Sequence, residues 1–146
     1  MRTLFRWLSA ACLLFLLFPA APSAADSEKF ALVGNKDVPD TLDKEDVKQI
    51  FLGKRTFWDQ DRQITFVIFS KEGIFNAFLK VYIGKTMDQY KNYWKKQVFT
   101  GKGRMPKAFE QSSDLSAYIA ETSGAIGFLP EDDVNPEIVK LITIKW

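Results

Sequence analysis

The run Gln63-Ile64-Thr65-Phe66-Val67-Ile68-Phe69 constrains this chain most, because it ends in four consecutive apolar residues. A strand with one wet face alternates apolar and polar residues. One that does not alternate suits a strand covered on both faces. Such a sheet is flanked by helices, and the downstream sequence supplies them. Ser70 is a candidate N-cap for a helix with Ile74, Phe75, Phe78, Leu79 and Tyr82 on one stripe, closed by Gly84. Thr86 opens the next helix, with Gln89 in the capping-box position. Its inward face is expected to be Met87, Tyr90, Trp94 and Val98, with Lys91, Lys95 and Lys96 in water and Gly101 at its end.

Upstream, Asp43 is a good N-cap, followed by Glu45 and Asp46 where the helix dipole favours acids. Leu42 and Val47 are spaced as a hydrophobic staple. Val47, Ile50 and Phe51 form the buried face, and Gly53 ends the helix. Further on, Ser112 or Ser113 caps a short helix bearing Leu115, Tyr118 and Ile119, stopped by Gly124. Lys29–Gly34, Ala125–Leu129 and Val139–Ile144 read as strands. Glu131-Asp132-Asp133 reads as a solvated turn. Strands interleaved with helices predict an α/β domain with a mixed sheet flanked by helices.

The N-terminus has the parts of a cleavable signal peptide. Arg2 and Arg6 precede an apolar run from Leu8 to Phe18, and small residues follow through Ala25. The run falls short of the roughly 20 residues of a membrane helix. Cleavage is expected between Ala25 and Asp26, leaving residues 26–146 as one domain in the periplasm or medium. The single cysteine, Cys12, leaves with the signal. Without Arg2 and Arg6, Lys+Arg falls from 20 to 18 and equals the 18 Asp+Glu. A general nucleic-acid binder needs a basic excess, so nucleic acid is not an expected partner.

There is no histidine, and no cysteine after Cys12. Histidine acid–base chemistry, thiol nucleophiles, Ser-His-Asp triads and nearly every zinc site are thereby excluded. Asp59-x-Asp61 lacks the glycine and distal glutamate of a calcium loop. No enzyme activity, cofactor or metal is expected. Two turns are candidate anion sites. Ser70-Lys71-Glu72-Gly73 joins a strand to a helix, where free N–H groups accompany Ser70, Lys71 and Gly73. Gly101-Lys102-Gly103-Arg104 offers Lys102, Gly103 and Arg104: two cations, and glycines that allow close backbone approach. The plain alternatives are an ordinary N-cap with Lys71 in water, and a helix C-cap followed by an exposed basic turn. Trp94 and Tyr90 fall on the core stripe, while Trp58 is placed to cover a helix end.

Four segments, in order, resemble the phosphate-type periplasmic solute-binding proteins, the substrate-binding components of phosphate ABC transporters. They are Leu42 to Lys54 with Phe57-Trp58, the strand and helix from Thr65 to Leu79, Tyr93-Trp94 with Phe99 to Gly103 and Pro106, and Gly124-Ala125-Ile126-Gly127-Phe128. The resemblance implies a type 2 periplasmic-binding-protein-like α/β fold, of which residues 26–146 match about one lobe. It also implies a ligand held between two lobes. In the phosphate loop, Ile68, Glu72 and Ile74 stand where the family has arginine, serine and threonine, and only Gly73 is retained. The implied function is an exported solute-binding domain taking phosphate or another small anion weakly, in connection with transport. The alternative is a protein-interaction or sensory accessory domain that has lost its ligand. A second wall for the cleft would come from a second copy or from an exported or membrane-bound partner. Ser70-Lys71 and the 101–104 turn are both expected on that cleft-facing edge.

Overall fold

The apolar run from Thr65 does enter the middle of a sheet. A computed structural model describes residues 28–146, so the signal-peptide reading lies outside the described residues. Strand β1 (Phe30–Gly34), β2 (Thr41–Asp43), helix α1 (Lys44–Phe51), β3 (Thr65–Phe69) and α2 (Glu72–Phe78) come first. Then follow α3 (Met87–Phe99), β4 (Lys107–Phe109), α4 (Ser112–Glu121), β5 (Ala125–Pro130), β6 (Lys140–Leu141) and β7 (Thr143–Lys145).

Five strands form one mixed sheet in the order β4-β3-β5-β1-β6. Strand β3 runs parallel to β4, with Val67 opposite Lys107, and parallel to β5, with Thr65 opposite Ala125. Strand β1 is antiparallel to β5 from Phe30↔Pro130 to Gly34↔Ile126. Both central strands are apolar on both faces: Val67, Ile68 and Phe69 are buried, as is β5 from Ala125 to Leu129.

Several boundaries differ from the sequence reading. The final apolar run is two strands in two sheets. Strand β6 pairs antiparallel with β1, whereas β7 pairs parallel with β2 in a separate two-stranded sheet. Between them Ile142 is buried and its N–H donates to the Leu32 carbonyl, which forces the chain to change partner. Strands β2 and β4 are three residues each, too short to show a period, and β4 is an exposed edge. Ser70 does not cap α2. Lys71 holds the N-cap position; the Ser70 N–H and hydroxyl both donate to the Phe109 carbonyl, at 2.8 and 3.0 Å, which holds Ser70 in line with β3 beside β4.

Asp43 is the N-cap of α1, and the Asp46 carboxylate accepts from the Asp43 N–H at 3.3 Å. Leu42 and Val47 are both buried, consistent with the staple. Thr86 and Gln89 form the reciprocal capping box of α3. Helix α2 runs on into a π-helical turn (Leu79–Ile83) before Gly84. In α4, Ser112 is the first helical residue and Gln111 the N-cap. Val98 is exposed rather than inward, because the 101–104 turn folds back over Trp94 and leaves the last turn of α3 outside the core.

The core is aromatic. Phe78 stacks on Phe128 with centroids 4.0 Å apart and planes 3° from parallel. Phe51 and Phe30 meet Phe78 at 4.6 and 5.8 Å. Helix α3 is bolted to α1 by two phenols, since Tyr90 donates to the Phe51 carbonyl and Tyr93 to the Leu52 carbonyl, each at 2.7 Å. These carbonyls are among the groups a helix C-terminus leaves unpaired. Burial, opposed by the neighbouring Trp94 N–H, pushes the Tyr90 hydroxyl well above its ordinary pKa. It therefore stays a donor.

A polar pin joins the β1–β2 turn to the end of α4. Asn35 donates to the carbonyls of Ile119 and Thr122, both at 2.9 Å. Asp37 accepts from the Ser123 hydroxyl and from the Gly124 N–H at 3.1 Å. Burial works against the Asp37 charge, but the Ser123 and Gly124 hydrogen bonds and the Arg62 charge hold its pKa below the usual 3.8. A depressed folded pKa contributes stability that is present above the unfolded value and is lost as pH falls through the folded one. Asp37→Ala is therefore expected to cost about 1–2 kcal/mol at pH 7. The gap to the unmutated protein should shrink once pH drops below about 4. Urea melts at both pH values check this; a gap unchanged in acid would mean the charge is not what matters.

Candidate functional site

Because β3, β4 and β5 are parallel, their C-terminal ends share one edge of the sheet. In open α/β sheets that edge is where ligands bind. Here the chain leaves β3 at Ser70-Lys71, β4 at Glu110-Gln111 and β5 at Glu131. A solvent-open crevice of about 480 Å³ lies at this edge, with Lys71, Ser112, Ser113, Ser116, Asp133 and Asn135 among its walls.

Each wall residue has a local cause. Lys71 is the N-cap of α2, with its ammonium 6.0 Å from the Phe69 ring centre. Ser112 and Ser113 open α4, whose first-turn N–H groups have no partner within the helix. Ser116 lies one turn further on, on the same face as Ser112. It is buried, at 5% exposure, and it borders the crevice. Asp133 sits in the single 3-10 turn after β5 and accepts from the Ser112 hydroxyl at 2.5 Å. The crevice thus offers one ammonium and several hydroxyls against one carboxylate. That set suits a small polar solute and gives a multiply charged anion only weak net attraction.

The structure splits the six sequence-predicted site residues. Lys71 enters the crevice. Ser70 spends its hydroxyl proton latching β3 to β4. Gly73 lies against the Glu28 carboxylate, with which any Cβ at that position would collide. Lys102, Gly103 and Arg104 lie elsewhere. Their turn precedes Lys107, which pairs with Val67, so it enters at the N-terminal edge of the parallel strands. There they border a second recess of about 580 Å³ with Thr56, Gln63 and Phe66. The expectation that both turns share one edge is corrected: a parallel pairing of β3 and β4 puts the start of one and the end of the other at opposite ends. Trp58 Nε1 donates to the Gly124 carbonyl at 2.9 Å, and the Arg55 guanidinium, just past the α1 end, lies 5.5 Å from the Trp58 ring centre.

Sequence reasoning missed Ser116, Asp133 and Asn135 as wall residues. Ser112 and Ser113 were visible as a helix start. The i, i+4 spacing of Ser112 and Ser116 was the one available signal, whereas Asp133 and Asn135 reach the crevice only through the fold of β5.

No protein-family profile matches the chain, and no curated protein sequence does. Solved structures do match. An ABC-type phosphate transport receptor from Vibrio cholerae is 19% identical, with a TM-score of 0.53. A provisionally assigned phosphate ABC transporter substrate-binding protein from Clostridium perfringens, solved with bound phosphate, is 20% identical with a TM-score of 0.62. PstS from Borrelia burgdorferi is 12% identical with a TM-score of 0.59. The chain has the fold of phosphate-transporter substrate-binding proteins. The matches cover 79%, 79% and 80% of this chain, and 45%, 44% and 47% of those chains. This protein therefore spans less than half the length of the substrate-binding proteins it matches. Its mixed, helix-flanked sheet is the periplasmic-binding-protein-like architecture that the sequence resemblance implied.

Proposed function

We propose that this protein is an exported, non-enzymatic solute-binding domain, residues 26–146, that takes a small oxyanion weakly in the crevice at the C-terminal edge of its sheet. The observation that carries the reading is the convergence of Lys71 with Ser112, Ser113 and Ser116 at that edge. Fold neighbours that are phosphate-transport proteins support the ligand class. The absence of histidine and of any cysteine beyond Cys12 supports binding rather than catalysis.

Asp133 in the crevice, together with Glu72 and Ile74 in place of hydroxyl donors on α2, keeps affinity low. A second copy, or an exported or membrane-bound partner, would supply a second wall and exclude water from the ligand. The Glu28 carboxylate against Gly73 favours the rival reading, an accessory domain without a ligand, since the chain's own acid lies at the α2 start.

Calorimetry with inorganic phosphate on the exported protein, first checked by intact mass for a start at Asp26, tests the proposal. A dissociation constant of about 1 mM is expected. Lys71→Ala should abolish the signal, and Lys102→Ala should leave it unchanged. Sub-micromolar affinity, or binding that depends on Lys102 and not on Lys71, would overturn the crevice assignment. No binding at all would favour the accessory-domain reading.

A further inference from the structure

The charges of this chain are segregated. From Gln89 to Phe109 there is no aspartate or glutamate, yet Lys91, Lys95, Lys96, Lys102, Arg104 and Lys107 all fall in that segment. The protein as a whole carries a formal charge of only +2, so the excess is local. Lys107 is engaged above the Tyr118 ring at 4.5 Å. None of the other five takes part in an ion pair among the described residues.

Apolar groups stand among these cations. Lys91, Lys95, Val98 and Phe99 are spaced i, i+4, i+7 and i+8, which places them on one stripe of α3. All four are exposed. Phe99 is 93% exposed, and Met105, on the turn that folds back beside α3, is 55% exposed. Met105 and Lys91 border the same small groove.

We propose that the last turns of α3 and the 101–105 turn form a docking surface for an anionic lipid bilayer. Phe99 protrudes from a helix end, which suits insertion into a soft interface better than contact with a flat protein face. Lysine and arginine stems can lie along the apolar layer while their charges stay among phosphate headgroups. Each cation near an anionic leaflet adds measurable attraction, and salt screens it. The surface lies at the sheet edge opposite the crevice, so the proposal does not depend on the solute reading.

Flotation with extruded vesicles tests it, using protein recovered from cells expressing the full chain. Vesicles of about 30% phosphatidylglycerol in phosphatidylcholine provide the anionic surface, and pure phosphatidylcholine the control. The protein should float with the anionic vesicles at low salt, and this should be largely lost at about 0.5 M salt. Lys95→Glu should weaken partitioning by about fivefold or more. Phe99→Ser should weaken it several-fold while leaving a salt-sensitive remainder. Lys29→Glu, the same charge change at the far edge of the sheet, should have little effect. Equal losses for Lys95→Glu and Lys29→Glu would overturn the proposal, as would equal binding to neutral vesicles. So would the absence of vesicle binding, including the case where the same residues capture an acidic protein instead.

Discussion

Phe78→Ala is expected to lower the unfolding free energy by about 3–5 kcal/mol. The side chain is fully buried, and its ring lies flat on Phe128 and touches Phe51, Phe30 and Tyr82. Truncation removes the transfer energy of the ring and leaves a cavity walled by four other rings, too stiff to collapse into it. Domains of this size hold only about 5–15 kcal/mol in total, so the variant should be visibly marginal. Phe99→Ala is the matched control, because the same chemistry at an exposed position should stay within about 0.5 kcal/mol. Guanidinium denaturation of both variants measures the difference. A Phe78→Ala cost no larger than that of Phe99→Ala would show that the aromatic stack does not hold the two halves of the core together.

Gly124→Ala should be nearly as damaging, for a backbone reason. Gly124 has φ +72°, and a Cβ there would collide with the Gln63 carbonyl. The left-handed backbone alone costs an alanine about 1–2 kcal/mol. The collision adds to this, because Gly124 is held on several sides. Its N–H donates to Asp37, and its carbonyl accepts from the Thr65 N–H and from Trp58 Nε1. Moving it would disturb the entry to both central strands. A total of about 3 kcal/mol or more is expected. Gly101→Ala separates the two contributions, since Gly101 has φ +71° with nothing within 4 Å of an added Cβ. It should show the backbone cost alone. Equal melting temperatures for the two variants would mean that the Gln63 contact yields freely.

Much of the fold was legible because short-range rules set it. The Asp43 and Thr86 caps, the Leu42–Val47 staple and the aromatic stripe of α2 depend on neighbours within a few residues. The failures came where longer-range pairing overrode a local signal. Ser70 has the chemistry of an N-cap, but its hydrogen bonds to the Phe109 carbonyl, 39 residues away, hold it beside β4. Val139–Ile144 has the pattern of one strand, but two different partners divide it. Val98 has the spacing of a core residue, but α3 outruns the core it packs against.

The site was less legible than the fold. Sequence alone ruled out particular chemistry, because residue types that are absent cannot act: with no histidine, and no cysteine after Cys12, no imidazole and no later thiol can take part. It also determined which turns carry free cations, since composition does not depend on folding. Only the tertiary structure decided where those turns go. Parallel pairing of β3 with β4 sends Lys71 and the Lys102–Arg104 turn to opposite edges of the sheet. That pairing, together with the parallel pairing of β3 with β5, brings Ser112, Ser116 and Asp133 to Lys71 from two other segments. Strand direction is a property of which partner a strand meets, and no period within a single segment encodes it.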